Sequence, residues 1–285
     1  MTLGHSLRLR PAWQACVGQL PNSPEFPADS SKDFPFETFS MSELFFSSAV
    51  DAKPPLPGPF TPGDVASLTL HGTEPETTGT GKKARTRAAA KVNQDTGCVA
   101  KLRDDVALIA VFDGHGVWGD KISKGAARSL HAALDVHPQL RDMPGIALKD
   151  AFAAAEAAVQ AEPEKAKLSG AVAVCALLVA EPDGTHVLWT AHAGDCRAVL
   201  ASGGGALQLT QDHKPDAPAE KARIIRAGGF VSPSPPSAKI ARVWLDRTMY
   251  SPGVAMSRCL GDGIAKTVGV SAEPEVWDGA GEGLE

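Results

Sequence analysis

One apolar run constrains the fold of this chain more than any other feature. Residues 106–112 read Val-Ala-Leu-Ile-Ala-Val-Phe, and the run stops abruptly at Asp113-Gly114-His115-Gly116. A short, continuous apolar run that is closed by a turn signal is typical of a strand buried on both faces. The sequence therefore predicts a core strand with an aspartate and a histidine at its carboxyl end.

From about residue 90 onward, strand-like and helix-like patterns alternate. Apolar residues at helical spacing predict three helices, over residues 118–134, 145–161 and about 217–227. Apolar runs bounded by turn residues predict further strands, over residues 171–180, 186–192 and 197–201. The turn Pro182-Asp183-Gly184-Thr185 predicts that the first two of these strands form a hairpin. This order predicts adjacent antiparallel strands that are covered by helices.

The first 85 residues differ in composition from the rest. Eleven of the 22 prolines stand before residue 76, which is too many for a helix or a central strand. We expect residues 1–85 to form a proline-rich, disordered tail and residues 86–285 to form the folded domain. The first 24 residues contain Arg8 and Arg10 but no acid, which weakly resembles an organelle-targeting peptide.

Charge and composition exclude several classes of partner. The chain has 28 Lys+Arg and 33 Asp+Glu, a formal net charge of −5, which gives no electrostatic basis for binding nucleic acid or an anionic membrane. Its longest apolar stretch, Ala171 to Ala180, is about half of the roughly 20 residues that a membrane-spanning helix needs. The five cysteines are scattered, without a Cys-x-x-Cys pair, so a disulfide framework or a structural zinc site is not indicated. We expect a cytoplasmic protein, with an organelle as the weaker alternative.

Carboxylates recur at predicted strand ends and turns: Asp95, Asp113, Asp195, Asp212 and Asp262. Hard cations such as Mg²⁺ and Mn²⁺ prefer carboxylate and carbonyl oxygens, and a neighbouring glycine lets the backbone come close. A single Asp-Gly pair is more often an ordinary turn. The interpretation as a hard-metal site therefore depends on the whole set.

Two covalent hydrolytic mechanisms lack their sequence signatures. No cysteine is followed, after five intervening residues, by the arginine that a cysteine-dependent phosphatase needs to hold phosphate. The Gly-x-Ser-x-Gly motif of serine hydrolases is also absent. Hydrolysis by metal-activated water remains.

Several motifs occur in a characteristic order: Asn93-Gln94-Asp95, Asp113-Gly114-His115-Gly116, Ser169-Gly170, Gly194-Asp195-Cys196-Arg197, Asp212-His213-Lys214-Pro215, Ala241-Arg242-Val243, Ser257-Arg258 and Leu260-Gly261-Asp262. In order and spacing, from about residue 90 to near the end of the chain, they resemble the metal-dependent protein serine/threonine phosphatases of the PPM, or type 2C, family. The resemblance implies an α+β fold in which two antiparallel sheets pack as a β-sandwich flanked by helix pairs. It implies hydrolysis of phosphoserine and phosphothreonine in proteins, with two or more Mg²⁺ or Mn²⁺ ions.

The resemblance also implies a role for each candidate site residue. Asp113 would bridge the two central metals, Gly114 would offer its carbonyl oxygen, and Asp95 would lie beside them and orient metal-bound water. Asp195 would hold a weaker third metal. His115 would act as the general acid that protonates the leaving seryl or threonyl oxygen.

Other matching residues are expected to be structural or to choose the substrate. The Asp212-His213-Lys214-Pro215 motif, Arg223 and Arg258 would position turns and pair with acids. Residues from Ala217 to about Tyr250 would include a variable flap that selects the substrate.

The chain departs from the family pattern in two respects. Two later metal-binding aspartates of the family have no counterpart before Glu285, so we expect a C-terminally incomplete domain with its last strands missing. An arginine that holds the substrate phosphate in many members would fall at Ala90, with Lys91, Arg87 or Arg85 as candidate replacements. The alternative function is therefore a catalytically inactive phosphatase-like fragment that acts as a binding or regulatory module.

Overall fold

A computed structural model describes residues 91–202, 205–232 and 240–278 of the protein, together with the backbone of four earlier strands. The helices are α1 Gly119–Asp135, α2 Pro144–Gln160, α3 Pro163–Ala166, α4 Pro218–Arg226 and α5 Gly263–Lys266. The strands before residue 120 are β1 Arg8–Leu9, β2 Gln14–Gly18, β3 Thr73–Thr78, β4 Arg85–Ala90, β5 Asp95–Arg103 and β6 Val106–His115. The later strands are β7 Gly170–Ala180, β8 His186–Ala193, β9 Arg197–Ser202, β10 Gly205–Gln208, β11 Phe230–Ser232, β12 Arg242–Trp244, β13 Pro252–Val254, β14 Leu260–Gly261 and β15 Glu275–Trp277.

The largest sheet has seven strands, in the order β1-β8-β7-β6-β5, with β14 pairing with β7 and β15 pairing with β8. All of these pairings are antiparallel. The register sets Asp95 of β5 opposite Asp113 of β6, and His115 of β6 opposite Gly170 of β7. Strand pairing alone therefore gathers three chemically distinctive positions at one end of the sheet.

Strand β7 is buried on both faces because each face packs against a different core. Alternate side chains of a strand point to opposite faces of the sheet. On one face, packed with α1 and α2, lie Ala171, Ala173, Cys175, Leu177 and Val179. On the other face, packed with β9 and α4, lie Val172, Val174, Ala176 and Leu178. The sheet is thus a middle layer between a pair of helices and a second sheet.

The second sheet contains β10, β9 and β2 in that order, with antiparallel pairing. Strands β11, β12 and β13 form a small third sheet, and β3 and β4 form a hairpin. Two antiparallel sheets packed face to face with helices outside are the architecture that the resemblance implies, and the fold prediction is confirmed.

The predicted elements from residue 106 onward agree closely with the observed ones. The helix predicted over residues 118–134 is α1, and the one predicted over residues 145–161 is α2. The predicted hairpin is β7 and β8, closed by a hydrogen bond from the Glu181 amide to the Thr185 carbonyl oxygen at 2.8 Å.

Strands β1, β2 and β3 lie within the segment 1–85, and the boundary between tail and domain stays a prediction. None of the helices in the part of the chain that the structure describes is both long and apolar enough to cross a membrane.

Candidate functional site

Two aspartates face each other where β5 begins and β6 approaches its end. Asp95 and Asp113 are register partners, and their carboxyl groups lie within hydrogen-bonding reach of each other. Burial raises the pKa of Asp113 to about 6, and repulsion from Asp95 and Asp195 adds to the effect. Burial also raises the pKa of Asp95. The pair is a concentration of negative charge, and among the described residues no lysine or arginine forms an ion pair with it; the nearby His115 lowers the pKa of Asp113 but does not cancel the rise.

Close backbone packing fixes the position of Gly114 beside this pair. Its amide donates to the Gln94 carbonyl oxygen at 3.1 Å. A Cβ at residue 114 would lie 2.2 Å from the Gly119 carbonyl oxygen and 2.6 Å from that of Gln94, so only glycine fits. The Gln94 side chain ties the same region together, because its Nε2 donates to the Gly116 carbonyl oxygen at 2.6 Å. The end of β6 is thereby fixed between the loop before β5 and the start of α1.

His115 is bonded to an aspartate that lies 147 residues away in the chain. Its Nε2 is 2.5 Å from Oδ2 of Asp262, whose side chain is only 2% exposed. Burial alone would lower the pKa of His115, but the hydrogen bond to Asp262 and the negative charges of Asp262 and Asp113 outweigh it and raise the pKa. The imidazole therefore favours the protonated form that a general acid needs.

Backbone conformation brings Asp262 to this position. The residue has left-handed dihedral angles, φ 50° and ψ 54°, which aspartate adopts more readily than most residues. Its amide donates to the Ser169 carbonyl oxygen at 2.9 Å. A Cβ at Gly170 would lie 2.7 Å from Oδ2 of Asp262 and 2.8 Å from Nε2 of His115, so a side chain at residue 170 would disrupt the pair.

The partnership of His115 with Asp262 is a feature that sequence reasoning missed. Asp262 was recognised as a turn carboxylate within the motif Leu260-Gly261-Asp262, but nothing in the sequence indicates which residue it contacts.

Cys259 completes a His-Cys-Asp cluster with His115 and Asp262, and the three ligand atoms lie within 4.8 Å of one another. The Cys259 Sγ donates to Oδ2 of Asp262 at 3.3 Å. Burial holds the pKa of this thiol well above its usual value. The cluster is therefore a hydrogen-bonded arrangement of a thiol, a carboxylate and an imidazole.

Asp195 differs from Asp95 and Asp113 because a lysine is bound to it. Lys214 Nζ donates to Oδ2 of Asp195 at 2.5 Å and lies 3.6 Å from Oδ2 of Asp212. Arg197 holds Asp212 through two hydrogen bonds, of 2.7 and 2.9 Å. The ammonium group offsets part of the charge of Asp195 and occupies Oδ2, and the role expected for this residue in holding a third metal stays a prediction.

Glu220 of α4 forms a second acidic centre, which is surrounded by hydrogen-bond donors. Arg223 donates to both carboxylate oxygens at 2.7 Å, and Arg258 donates to the same group at 2.8 to 3.2 Å. Ser257 Oγ donates at 2.5 Å. Burial would raise the pKa of Glu220, but these hydrogen bonds outweigh it and lower the pKa to about 2. The prediction that Arg223 and Arg258 pair with acids is confirmed.

Two histidines stack between the sheets. The rings of His192 and His213 are 4.3 Å apart at an interplanar angle of 11°. The Gly194 amide donates to Nδ1 of His213 at 3.1 Å, so this nitrogen must be unprotonated. Burial lowers the pKa of His213 to about 3, and the positive charges of His192 and Arg258 contribute. His213 is therefore a neutral, structural histidine, as predicted for its motif.

A cavity of about 260 Å³ opens beside His115. The residues that line it include His115, Asp262, Leu168, Pro252, Val254, Met256 and Arg242. The cavity therefore lies between the end of the large sheet and the small sheet β11–β13. The predicted flap, residues 217–250, contributes Arg242 to it.

Of the candidate replacements for the phosphate-binding arginine, the structure describes the side chain of Lys91 alone. Arg85, Arg87 and Ala90 belong to β4, of which the backbone alone is described. Lys91 follows this strand and is exposed.

Comparison with known proteins identifies the family. Residues 73–279 of this chain match the protein phosphatase 2C family. "Probable protein phosphatase 2C 64" of Oryza sativa subsp. japonica is 37% identical over 187 residues, which are 61% of this chain and 42% of the relative. "Probable protein phosphatase 2C 48" of the same organism is 34% identical over 219 residues, 67% of this chain and 61% of the relative. The chain thus spans less than two thirds of the length of either relative.

Solved structures agree with the fold. The serine-threonine phosphatase 2C from Toxoplasma gondii superposes with a TM-score of 0.54 at 23% identity, over 73% of this chain and 78% of that one. A sex determining protein of C. elegans superposes with a TM-score of 0.51 at 21% identity, over 76% of this chain and 50% of that one. With the match over residues 73–279, these findings confirm the resemblance: the chain belongs to the protein phosphatase 2C family.

Proposed function

We propose that the protein hydrolyses phosphoserine and phosphothreonine in phosphoproteins, in a reaction that depends on Mg²⁺ or Mn²⁺. The observation that carries this proposal is the un-neutralised pair Asp95 and Asp113 next to the His115–Asp262 pair. Membership of the protein phosphatase 2C family supports it. The activity is a proposal because the chain spans only 42% and 61% of the two rice relatives.

The chemistry of the aspartate pair fits divalent cations. Among the described residues, no lysine, arginine or histidine forms an ion pair with Asp95 or Asp113, and the charge of the nearby His115 compensates only part of that of Asp113. A hard dication would offset the burial that raises both pKa values and the repulsion that adds to the rise at Asp113. We assign Asp95, Asp113 and the carbonyl oxygen of Gly114 as the groups that would hold two or more Mg²⁺ or Mn²⁺ ions. Such ions, when bound, would supply a water of lowered pKa as the nucleophile.

His115 and Asp262 are suited to handling the proton of the leaving group. An imidazolium carries two N–H groups, and the carboxylate of Asp262 fixes the one on Nε2. The proton on Nδ1 would then be available to the departing seryl or threonyl oxygen. The Asp262 carboxylate holds the ring in a single orientation and stabilises its positive charge.

The proposal is tested by measuring phosphate release from a phosphothreonine peptide by the full protein. Turnover should require Mn²⁺ or Mg²⁺ and should stop with a chelator. Asp113→Asn should lower the rate by at least about a hundredfold, because even residues that only support metal ligands cost 10- to 100-fold. Asp150→Asn is the matched control, since the side chain of Asp150 is 64% exposed on α2 and pairs with His137, so this substitution should leave the rate unchanged.

Phosphopeptide binding without any turnover at saturating metal would contradict the proposal and favour a binding module. Turnover that survives both chelation and Asp113→Asn would contradict the assigned metal site.

A further inference from the structure

The cavity beside His115 has an amphipathic lining. The apolar wall is formed by Leu168, Pro252, Val254 and Met256. His115 and Asp262 line the same space, but they are bonded to each other at 2.5 Å. Arg242, on β12, is the remaining charged residue among those that line it.

Arg242 differs from the other cations around the site because it forms no ion pair with an acid among the described residues. Arg197 is bound to Asp212, Lys214 to Asp195, and Arg258 to Glu220. Within the part of the chain that the structure describes, no carboxylate lies within ion-pair distance of the Arg242 guanidinium.

The Arg242 guanidinium is nevertheless held in place. Its Nη1 donates to the carbonyl oxygen of Gly253, which also lines the cavity. The backbone amide of Arg242 donates to Ser232 Oγ at 3.3 Å. A guanidinium has five N–H donors, so most of them are free for a ligand while the group stays oriented.

We propose that Arg242 binds an anionic group of the substrate in this cavity. This inference rests on the proposed phosphatase function and names the group that recognises the substrate next to the proposed general acid. The ligand chemistry is an oxyanion with two acceptor oxygens, because the planar fork of arginine pairs with phosphate or carboxylate through two parallel hydrogen bonds.

Such an oxyanion can come from two parts of one phosphopeptide. It can be the phosphoryl group itself, or the carboxylate of an acidic residue that neighbours the phosphorylated one. In both cases the apolar wall of the cavity would contact the aliphatic parts of the peptide, and Arg242 would supply the charge that fixes the position of the peptide.

The test compares the full protein with Arg242→Gln and Arg242→Lys on three substrates in the presence of Mn²⁺. The substrates are p-nitrophenyl phosphate, a phosphothreonine peptide with glutamate beside the phosphothreonine, and the same peptide with glutamine there. Arg247→Gln is the matched control, because Arg247 lies in the loop between β12 and β13 with its guanidinium over the Phe230 ring, 5.1 Å from the centroid, and does not line the cavity.

Arg242→Gln should raise KM by about tenfold or more on the substrates whose oxyanion Arg242 binds, because a lost charge-assisted hydrogen bond weakens binding. A kcat changed by less than about twofold is expected if that oxyanion is the neighbouring carboxylate, which lies away from the reacting atoms. Arg242→Lys should recover part of the loss, since lysine keeps the charge but not the fork. Arg247→Gln should behave as the unaltered protein. Thermal unfolding of each variant checks that the β12–β13 region stays folded.

The pattern over the three substrates identifies the source of the oxyanion. An increase in KM on all three supports binding of the phosphoryl group, and an increase on the glutamate peptide alone supports binding of the neighbouring carboxylate. Unchanged KM values on all three substrates would overturn the inference while leaving the proposed function intact.

If the unaltered protein turns over no substrate, the proposed function fails instead. Binding of the two peptides, measured by fluorescence anisotropy, then decides the role of Arg242. A Kd that rises about tenfold in Arg242→Gln but not in Arg247→Gln supports the inference, and equal Kd values overturn it.

Discussion

The protein contains two acidic centres that it treats in opposite ways, one around the buried Glu220 and one around the partly exposed pair Asp95 and Asp113. Around Glu220, two arginines and a serine donate to one carboxylate, and the pKa falls to about 2. Around Asp95 and Asp113, the carboxyl groups face each other without an ion-pair partner among the described residues, and the pKa of Asp113 rises to about 6. The fold evidently can provide arginines for a buried acid. We infer that the second centre lacks them because it takes its positive charge from outside the protein.

The two centres should therefore respond to substitution with opposite signs. Removing the charge of Glu220 leaves the positive charges of Arg223 and Arg258 uncompensated, which costs stability. Removing one charge from the aspartate pair relieves burial and repulsion, which adds stability as long as no metal is bound.

The largest expected effect is the loss of stability in Glu220→Gln. We expect the free energy of unfolding to fall by about 3 kcal/mol at pH 7, because breaking a buried ion pair from one side leaves the partner charges uncompensated. Because folding lowers the pKa of Glu220, the ionised side chain adds to the free energy of unfolding. This stabilisation is fully present above the unfolded pKa of 4.5 and is lost as pH falls toward 2. Urea unfolding of both proteins between pH 7 and pH 3 measures this difference.

The control for this prediction is Glu162→Gln. Glu162 forms an exposed pair with Lys165, and the loss of such a pair should cost less than about 1 kcal/mol. If both substitutions cost the same, Glu220 is not the structural centre that its contacts indicate.

A smaller effect of opposite sign is expected for Asp113→Asn in the presence of a chelator. The substitution should stabilise the protein by about 2 kcal/mol at pH 7, because the native state no longer has to ionise a partly buried carboxyl group beside another. Folding raises the pKa of Asp113 from 3.8 to about 6. The gain in stability of Asp113→Asn over the unaltered protein is therefore complete above pH 6 and disappears as pH falls toward 3.8. A variant that is less stable than the unaltered protein under these conditions would remove the contrast between the two centres.

The smallest effect concerns His213, which contacts neither aspartate of the pair. Its folded-state pKa, about 3, lies below the usual 6.5, so its stabilising contribution is complete above pH 6.5 and declines as pH falls toward 3. Between pH 6.5 and pH 5.5 the free energy of unfolding should fall by about 1 kcal/mol through this residue. His213→Asn should reduce that slope, and an unchanged slope would assign the acid sensitivity to other groups.

The sequence predicted the parts of the site that lie close together in the chain. The apolar run before Asp113 indicated a core strand, and the structure extends it as β6 to His115. The glycine at residue 114 indicated close backbone approach, which the short distances to Gly119 and Gln94 explain. Local pattern was sufficient because strand, turn and helix start are consecutive there.

Contacts between distant segments could not be predicted in the same way. Asp262 reaches His115 because β14 pairs with β7, and β7 pairs with β6, so two registers must be known first. Lys214 reaches Asp195 because the segment after β10 runs back beside Gly194, where the His213 amide donates to the Gly194 carbonyl oxygen. The motifs alone did not indicate this contact. The sequence motif around Asp195 therefore indicates a metal ligand, whereas the structure shows its carboxylate in an ion pair with Lys214.

Calorimetric titration of the full protein with Mn²⁺ tests the central claim most directly, since it measures whether the un-neutralised aspartate pair binds a cation. We expect the unaltered protein and Glu220→Gln to bind Mn²⁺ with equal affinity, and Asp113→Asn to bind it at least about tenfold more weakly. Mn²⁺ affinity that is unchanged in Asp113→Asn, or an unaltered protein that binds no Mn²⁺ at all, would contradict the central claim.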